Sequence, residues 1–294
     1  MKTPRVVVVG DLLYDLLAKV DGALTLGTDT FTPIRAAGGG SGANAGTWLA
    51  ATGLETHFVG RVGDDVFGEF LERDLHGAGV RTHLARDTSL ASGKVFVLVD
   101  GAGERTMITD RGAGESLSPE DLPGSLFSAG HLHLSGYAFS GGSRRETATE
   151  ALRLARESGM TVSVDPSSVP LLEDIGSEAF LGWTRGADLC FPNLEEGALL
   201  AGTKDPERIA KALLEHYQAV VLKLGAEGAL YAGAIGKRSR VPAARAIDTT
   251  GAGDALCAGF LAAWLTGAAP EVALRQGVGL AARAVERFGG RPKN

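Results

Sequence analysis

The segment Gly251-Ala252-Gly253-Asp254 combines two kinds of chemistry immediately before the almost uncharged stretch 255–269. Glycines at the start of a helix let successive N–H groups converge on one point, with the positive end of the helix dipole behind them. We therefore predict an anion hole made by the backbone amides of Gly251, Ala252, Gly253 and Asp254. A carboxylate beside a bound anion suits a base that deprotonates an attacking hydroxyl. Phosphoryl transfer needs both groups, and Asp254 is the predicted base.

Two further glycine-rich segments, 38–44 and 60–65, also lie between a predicted strand and a predicted helix. An open parallel sheet binds ligands beyond the carboxyl ends of its strands, which is where such loops lie. The sequence contains no G-x-x-x-x-G-K-[ST], H-E-x-x-H or G-x-S-x-G segment, and no G-x-G-x-x-G follows the first predicted strand. These absences argue against a P-loop, a zinc protease, an α/β-hydrolase and a dinucleotide-binding fold.

The elements that must position these loops alternate between short β-branched runs and amphipathic helical segments. Buried parallel strands are predicted at 5–10, 56–60, 161–165, 188–191 and 219–224. Segment 144–158 has its apolar residues on one helical face. This order predicts an α/β fold with a mostly parallel sheet covered by helices on both faces.

Two segments interrupt this alternation. Residues 11–36 and 92–111 resemble short strands and hairpins without a helix between them. We predict that they form a small β-sheet lid on a single domain spanning 1–294, since no linker or composition shift marks a second domain. A lid of exposed strands has unpaired edges, which favours a homodimer through the lid.

Charge and cysteine usage limit the function classes. A formal net charge of -6 argues against nucleic-acid binding, which needs clustered Lys and Arg. Stretch 255–269 is shorter than the ~20 residues that span a bilayer, so no membrane partner is expected. Cys190 and Cys257 lie in apolar stretches, which predicts buried thiols in a reducing, cytoplasmic compartment.

Several motifs occur together in one order along the chain. They are Gly39-Gly40-x-x-x-Asn44, Gly60-x-x-Gly63-x-Asp65-x-x-Gly68, Asn193-x-x-Glu196, Lys223-x-Gly225-x-x-Gly228 and Asp248-Thr-Thr-Gly-Ala-Gly-Asp254. This set resembles the ribokinase-like (PfkB) carbohydrate kinase family. The resemblance implies a ribokinase-like three-layer α/β/α sandwich with a small β lid, and transfer of the ATP γ-phosphoryl group to a sugar hydroxyl.

The resemblance also implies roles for individual residues. Asp254 matches the catalytic base, and Asp15, Gly39, Gly40 and Asn44 match the residues that hold the sugar. The nucleotide-side residues are Asn193, Glu196, Lys223, Gly225 and Gly228, with Val241-Pro242 at the edge of the adenine pocket. In the family, the positions of Asn193 and Glu196 organise water around Mg²⁺. Asp248, Thr250, Ala284 and Gly289 match a site for a monovalent cation such as K⁺, although Lys293 stands where a serine is expected.

Some of these residues also have purely structural interpretations. Asp15 could be a solvated residue of the lid, Asn193 could simply cap a helix, and Lys223 could extend its ammonium group to solvent. His131 and His133 share one face of a strand without a further ligand nearby, so we interpret them as structural. Arg105 and Arg111 could reach an anionic substrate or could be surface charges.

The acceptor is less well defined by the sequence. Leu13 stands where ribokinase itself has an asparagine, and no arginine follows Asp165-Pro166-Ser167, which counts against an acidic sugar within this resemblance. Leu13, Phe96 and Tyr137 would suit the apolar face of a nucleoside base, so a nucleoside kinase is the alternative. A catalytically silent sensor of sugars or nucleotides is a further alternative, which the carboxylate of Asp254 disfavours.

Overall fold

The computed structural model describes residues 3–20, 22, 24, 27–101, 105–233, 238–241, 251–285 and 290–292, with 238–241 described by backbone alone. The strands in chain order are β1 (Arg5–Val9), β2 (Leu13–Lys19), β3 (Ile34–Gly39), β4 (Glu55–Gly63), β5 (Arg81–Asp87), β6 (Ser92–Val99), β7 (Arg105–Gly112), β8 (His131–Ser135), β9 (Thr161–Asp165), β10 (Leu189–Cys190), β11 (Ala219–Lys223), β12 (Ala229–Gly233) and β13 (Arg238–Val241). The α-helices are α1 (Ser41–Ala51), α2 (Val66–Gly77), α3 (Gly142–Glu157), α4 (Val169–Ile175), α5 (Ser177–Thr184), α6 (Leu194–Ala201), α7 (Pro206–Leu213), α8 (Ala252–Trp264) and α9 (Pro270–Val285).

Within these residues, one large sheet has the order β13-β12-β11-β10-β9-β8-β1-β4-β5. The pairings from β11 through β10, β9, β8, β1 and β4 to β5 are parallel. The pairings β11–β12 and β12–β13 are antiparallel. Each of the five predicted buried parallel strands lies in this sheet, and the predicted mostly parallel α/β fold is confirmed.

Strand β1 shows why the sequence has an unbroken valine run. Val6 and Val8 pack into the apolar cluster that contains residues of α1, α8 and α9, whereas Val7 and Val9 pack into the cluster on the other face, with residues of α3. All four valines are fully buried. In a strand covered on both faces, an apolar side chain at every position adds buried apolar surface and so stabilises the fold. Apolar and polar residues therefore do not alternate along it.

A second, small sheet has the order β3-β2-β6-β7 and comes from the two segments that lack helices. Strands β2 and β6 are parallel, and the other two pairings are antiparallel. The pairing register places Asp15, Val95 and Thr109 on one face, called here the inner face, and Leu16, Phe96 and Ile108 on the other, called the outer face.

Register corrects one expectation about the acceptor pocket. Phe96 lies on the outer face with 49% of its surface exposed, so it cannot contact a ligand held against the inner face. Side chains alternate along a strand, and Val95 and Val97 therefore take the inner positions beside it.

Two other groups behave as the sequence predicted. His131 and His133 are buried and bond the hydroxyl of Ser163, and burial lowers their pKa values to about 3 and about 4. Cys190 and Cys257 are buried free thiols. Among the described helices, none has the length and apolar character to cross a membrane.

Candidate active site

A cavity of about 600 Å³ lies between the carboxyl ends of the large sheet and the inner face of the small sheet. It brings together most of the residues that the motifs singled out. Those on its wall are Asp15, Gly40, Asn44, Asn193, Glu196, Lys223, Gly225, Gly228, Gly251, Ala252, Gly253 and Asp254. Residues almost 240 positions apart in sequence thus meet at one cavity, because the carboxyl ends of the parallel strands lie at one edge of the large sheet and the small sheet contributes Asp15 opposite that edge.

The segment predicted to form an anion hole lies at the start of α8. Gly251 is the residue before this helix and has φ 72, a left-handed conformation that glycine adopts readily. A Cβ built on Gly251 would lie 2.3 Å from the carbonyl oxygen of Gly290, so no other residue fits. The N–H groups of Ala252, Gly253 and Asp254 lie in the first turn, where α-helix geometry gives them no partner within the helix. Gly251, Ala252, Gly253 and Asp254 all line the cavity, and the anion hole stays a prediction.

Asp254 lies in that first helical turn and lines the cavity. Burial raises the pKa of its carboxyl well above the ordinary value, and the negative charge of Asp165 raises it further. The positive charge of Lys223 acts in the opposite direction. A carboxylate in this environment is a stronger base than a solvated aspartate.

Lys223 ends β11 and makes an ion pair with Asp165 at the end of β9, with 2.7 Å between Nζ and Oδ2. The two side chains are only 13% and 5% exposed. A Cβ built on Gly253 would lie 3.4 Å from Nζ, so the ammonium group lies beside Gly253 at the start of α8. Cys257 also donates to Asp165, with Sγ 3.3 Å from Oδ2. The structure therefore contradicts a solvent-directed Lys223.

Asn193 and Glu196 form a closed reciprocal pair at the start of α6. Asn193 Oδ1 accepts from the Glu196 amide at 2.8 Å, and the Glu196 carboxylate accepts from the amide and the side chain of Asn193 at 2.9 and 2.8 Å. Asn193 is thus a helix cap. Burial raises the pKa of Glu196 to about 7, although the charge of Lys223 opposes this. Capping does not exclude a role in binding, since both residues line the cavity.

The turn between β11 and β12 supplies the two glycines of the Lys223 motif. Gly225 and Gly228 have φ 57 and φ 88, and the Leu224 amide donates to the carbonyl of Gly228 at 2.8 Å. Both glycines line the cavity, so the backbone of this tight turn forms part of its wall.

Asp15 extends from β2 into the other end of the cavity. A Cβ on Gly39 would lie 2.1 Å from Asp15 Oδ1, so the carboxylate packs directly on the glycine backbone. Burial raises the pKa of Asp15 to about 6, and the charge of Arg291 opposes the rise. Asp15 is therefore a partly buried residue of the cavity, and the interpretation as a solvated surface carboxylate is wrong.

Asn44 on α1 lines the same end, and a residue close to the carboxyl terminus holds it. Arg291 Nε donates to Asn44 Oδ1 at 2.9 Å, and Arg291 Nη2 donates to the carbonyl of Gly39 at 3.0 Å. The third nitrogen, Nη1, pairs with Asp74 on α2. One guanidinium group thus fixes the loop and the helix that carry the predicted sugar-binding residues.

Two arginines of β7 reach the cavity from the small sheet. Arg105 and Arg111 line its wall together with Met107 and Thr109. The Arg111 guanidinium lies over the ring of Tyr137, with 4.7 Å from Cζ to the ring centroid. The side chain of Arg111 is 25% exposed, so it is not merely a surface charge.

The family of the chain follows from its match to a protein-family model. The model for the pfkB family carbohydrate kinases matches residues 3–294. The chain belongs to the pfkB family. Its membership makes it a kinase, a phosphotransferase with an alcohol group as acceptor, as the motifs predicted.

Several pfkB relatives are similar over nearly the whole chain. The ATP-dependent ribose-1-phosphate kinase of Halopiger xanaduensis is 32% identical, over 98% of this chain and 94% of the relative. The fructokinase of Klebsiella pneumoniae is 33% identical, over 94% of this chain and 92% of the relative. A solved structure of aminoimidazole riboside kinase from Salmonella enterica, complexed with aminoimidazole riboside and an ATP analog, has a TM-score of 0.81 and 26% identity, covering 97% of this chain and 95% of that chain.

Some residues predicted from the pfkB motifs lie outside the described part of the chain. These are Asp248, Thr250, Gly289, Pro242 and Lys293. Ala284 is described, and it is buried in α9. The monovalent-cation site and the adenine edge therefore stay predictions.

Three residues of the pfkB site had no assigned role in the sequence analysis. Asp11 accepts from the amides of Ser41 and Gly42 at 3.1 and 3.0 Å and so caps α1. Asp165 pairs with Lys223, and Arg291 holds Asn44. The position of Asp11 directly after a buried strand and Gly10 could have indicated it. Arg291 had no signal in the sequence.

Proposed function

We propose that this protein transfers the γ-phosphoryl group of ATP to a hydroxyl of a sugar, with Asp254 as the base. The observation that carries the proposal is the place of Asp254 in the first turn of α8, where its carboxylate lines the cavity beside the amides of the anion hole. The acceptor oxygen bonds to the γ-phosphorus and the bond to the bridging oxygen breaks. ADP leaves with that electron pair, and the hydroxyl proton passes to Asp254.

The cavity has two ends that suit the two substrates. Asp15, Asn44 and the backbone of Gly40 line this end and offer hydrogen-bonding groups for sugar hydroxyls. Gly39 is not among the described lining residues, and its carbonyl accepts from Arg291. The β11–β12 turn and the start of α6 offer backbone and polar groups for the nucleotide. Lys223 stands beside the anion hole and neutralises negative charge that develops on the transferring group.

The pKa of Asp254 supports its role. A base must be unprotonated and must bind the acceptor proton firmly as the transition state forms. Burial raises the pKa of this carboxyl, which makes the carboxylate more basic, and the charge of Lys223 opposes the rise. Because the ionised form is the active one, activity is expected to fall as the pH drops through the raised pKa.

Magnesium fits the donor set at the nucleotide end. The carboxyls of Glu196 and Asp254 both have pKa values raised by burial and by nearby negative charge, which an added divalent cation would relieve. In the described part of the chain, no three acidic, histidine or cysteine side chains form a direct metal cluster. Asn193 and Glu196 would therefore hold Mg²⁺ through water and the ATP phosphates. Bound Mg²⁺ would neutralise charge on the ATP phosphates. We also propose that K⁺ activates the enzyme.

The test compares wild-type protein with the Asp254→Asn variant in an ADP-release assay with magnesium ATP. The acceptors are ribose, fructose, ribose 1-phosphate and aminoimidazole riboside. We expect turnover with the preferred acceptor to fall by about 100-fold or more, while ATP still binds. Unchanged turnover would refute Asp254 as the base. Binding of both ligands by the wild type without any ADP release would instead support a catalytically silent sensor.

A nucleoside acceptor is the second candidate, and the inner face favours it in one respect. Leu17, Val95, Val97 and Met107 give this face an apolar wall that a base could contact. The structurally similar aminoimidazole riboside kinase holds a riboside. Faster ADP release with the riboside than with any sugar would select this candidate.

We also propose that the chain is one domain with the small sheet as its lid, and that two copies associate through it. The outer face exposes Ile34, Phe96 and Ile108, at 63%, 49% and 63%. Such an apolar patch is typical of an association surface. Light scattering after size exclusion should give a dimer for the wild type and a monomer for Phe96→Asp. A wild-type monomer would refute this part.

A further inference from the structure

We propose that the acceptor carries a phosphate monoester, and that Arg105 and Arg111 recognise it from the inner face of the small sheet. This inference rests on the proposed kinase function and names the substrate class of the same site. It assigns a specificity role to two side chains that the phosphoryl transfer itself does not use.

The register of β7 places both arginines toward the acceptor. Alternate residues of the strand share a face, and Arg105, Met107, Thr109 and Arg111 all line the cavity. Thr109 lies opposite Val95, which in turn lies opposite Asp15. The two arginines therefore lie on either side of the strand segment that faces Asp15. Arg105 is close enough for its charge to lower the pKa of Asp15, against the larger effect of burial.

The carboxylates near Arg111 do not fully neutralise the positive charge on the wall of the cavity that β7 forms. Its Nε lies 3.6 Å from Glu115 Oε1, and Arg144 Nη2 lies 3.2 Å from the same oxygen. One carboxylate, itself 51% exposed, thus serves two guanidinium groups. Among the described residues, Nε of the buried Arg144 has no hydrogen-bond partner. The second carboxylate nearby, Asp11, is already engaged by the amides at the start of α1.

The geometry of Arg111 suits an oxyanion ligand. Stacking on Tyr137 occupies the face of the guanidinium and leaves its edge, which carries the N–H donors, for hydrogen bonds. Arginine binds phosphate and carboxylate through this edge. A phosphate monoester carries nearly two negative charges on three terminal oxygens, so it matches the charge of two guanidinium groups better than a singly charged carboxylate does. We therefore assign the phosphate.

Within the family resemblance, an arginine after Asp165-Pro166-Ser167 would indicate an acidic sugar as substrate, and this sequence has none there. The structure offers a different source, because a strand of the small sheet covers the acceptor end and points two arginines into it. Absence of an arginine after β9 therefore does not exclude an anionic acceptor.

The first experiment measures kcat/KM with ribose 1-phosphate and with ribose for the wild type, Arg105→Met and Arg111→Met. We expect the wild type to prefer ribose 1-phosphate by about 100-fold or more, since a neutral sugar offers the arginines no anion to bind. Each variant should lower the ratio of the two values by about tenfold or more, mainly through KM for the phosphorylated sugar. Arg35→Met is the matched control, because Arg35 is an exposed arginine of β3 that is not among the described residues lining the cavity, and it should leave the ratio unchanged.

The second experiment separates this inference from the proposed function. Isothermal titration measures binding of ribose 1-phosphate and of ribose to Asp254→Asn and to the same variant with Arg111→Met. Tighter binding of the phosphorylated sugar, lost with Arg111, supports the inference even if no acceptor gives ADP release, in which case the kinase proposal fails alone.

Three results would overturn the inference while the kinase function stands. The first is equal or better use of ribose, fructose or aminoimidazole riboside. The second is a loss in the arginine variants that is equal for every acceptor, which would place the arginines on the transferring phosphoryl group. The third is no difference between the arginine variants and Arg35→Met.

Discussion

Arg291 Nε donates to Asn44 Oδ1 at 2.9 Å, joining the carboxyl-terminal segment to the helix that carries the predicted sugar-binding loop. The same guanidinium bonds the Gly39 carbonyl and pairs with Asp74. Burial lowers the pKa of Arg291 to about 10, so the group stays charged at neutral pH. Trp48 Nε1 also donates to the Gly290 carbonyl at 2.8 Å, which is the oxygen closest to a Cβ built on Gly251. Residues 290 and 291 therefore connect the loop that carries Gly39 and Gly40 with the predicted anion hole at the start of α8.

Replacing Arg291 should disturb acceptor binding more than ATP binding. In Arg291→Met, Asn44 and the Gly39 carbonyl lose their donors, and we expect KM for the acceptor to rise by about tenfold or more while KM for ATP changes little. Steady-state kinetics with each substrate varied in turn measure the split. Arg283→Met, which removes an exposed arginine of α9, is the control. Equal rises in both KM values would contradict a positioning role.

Substitutions at Gly251 and Gly267 form a matched test and control for the predicted anion hole. Both have left-handed backbone, with φ 72 and φ 89, but a Cβ on Gly251 meets the Gly290 carbonyl, and no described heavy atom lies within 4 Å of one on Gly267. Gly267→Ala should cost about 1 kcal/mol of stability and keep its activity. Gly251→Ala should reduce kcat by about 100-fold, because the start of α8 must move. Comparable kcat values for the two variants would argue against the anion hole.

The ion pair between Lys223 and Asp165 should stabilise the fold only as a pair. Lys223→Met leaves a carboxylate buried without its partner, which typically costs about 3 to 5 kcal/mol. Urea unfolding should show this loss, and adding Asp165→Asn should recover much of it. Lys211→Met, which removes an ammonium group from α7, should change stability by less than about 0.5 kcal/mol. A single variant as stable as the wild type would mean that the pair is solvated.

The pKa of Asp15 predicts a stability that depends on pH. Its value in the folded protein is about 6, against an ordinary 3.8, so between these pH values the folded state holds a proton that the unfolded chain has released. The free energy of unfolding therefore falls as the pH rises through this window. Asp15→Asn cannot ionise, and above pH 6 it should be more stable than the wild type by up to about 3 kcal/mol.

The measurement is the difference in free energy of unfolding between Asp15→Asn and the wild type from pH 4 to pH 8. The difference should grow with pH and level off above the folded-state pKa of about 6. Acceptor KM should rise in the variant, because a carboxylate that accepts from sugar hydroxyls has been lost. A difference that is constant with pH would show that Asp15 has an ordinary pKa.

The sequence by itself determined the order of the elements and the position of the glycine-rich start of α8. The valine run of β1 and the glycines before α8 act locally, since strand burial and a helix N-terminus depend on a few adjacent residues. Most of the described motif residues from Asp15 to Asp254 line one cavity. The Gly60 to Gly68 motif is not among its described lining residues, and Asp65 instead caps α2 and accepts from the Ser92 amide.

Tertiary structure alone decided which side chains complete the site. Arg291 reaches Asn44 across 247 positions, and Lys223 reaches Asp165 across 58, distances over which no local pattern gives a signal. Phe96 was wrongly assigned to the pocket and Arg111 was left open, although each lies on a predicted strand. Alternation along a strand shows that neighbouring residues point to opposite faces, but only the packing of the small sheet over the cavity decides which face meets the substrate.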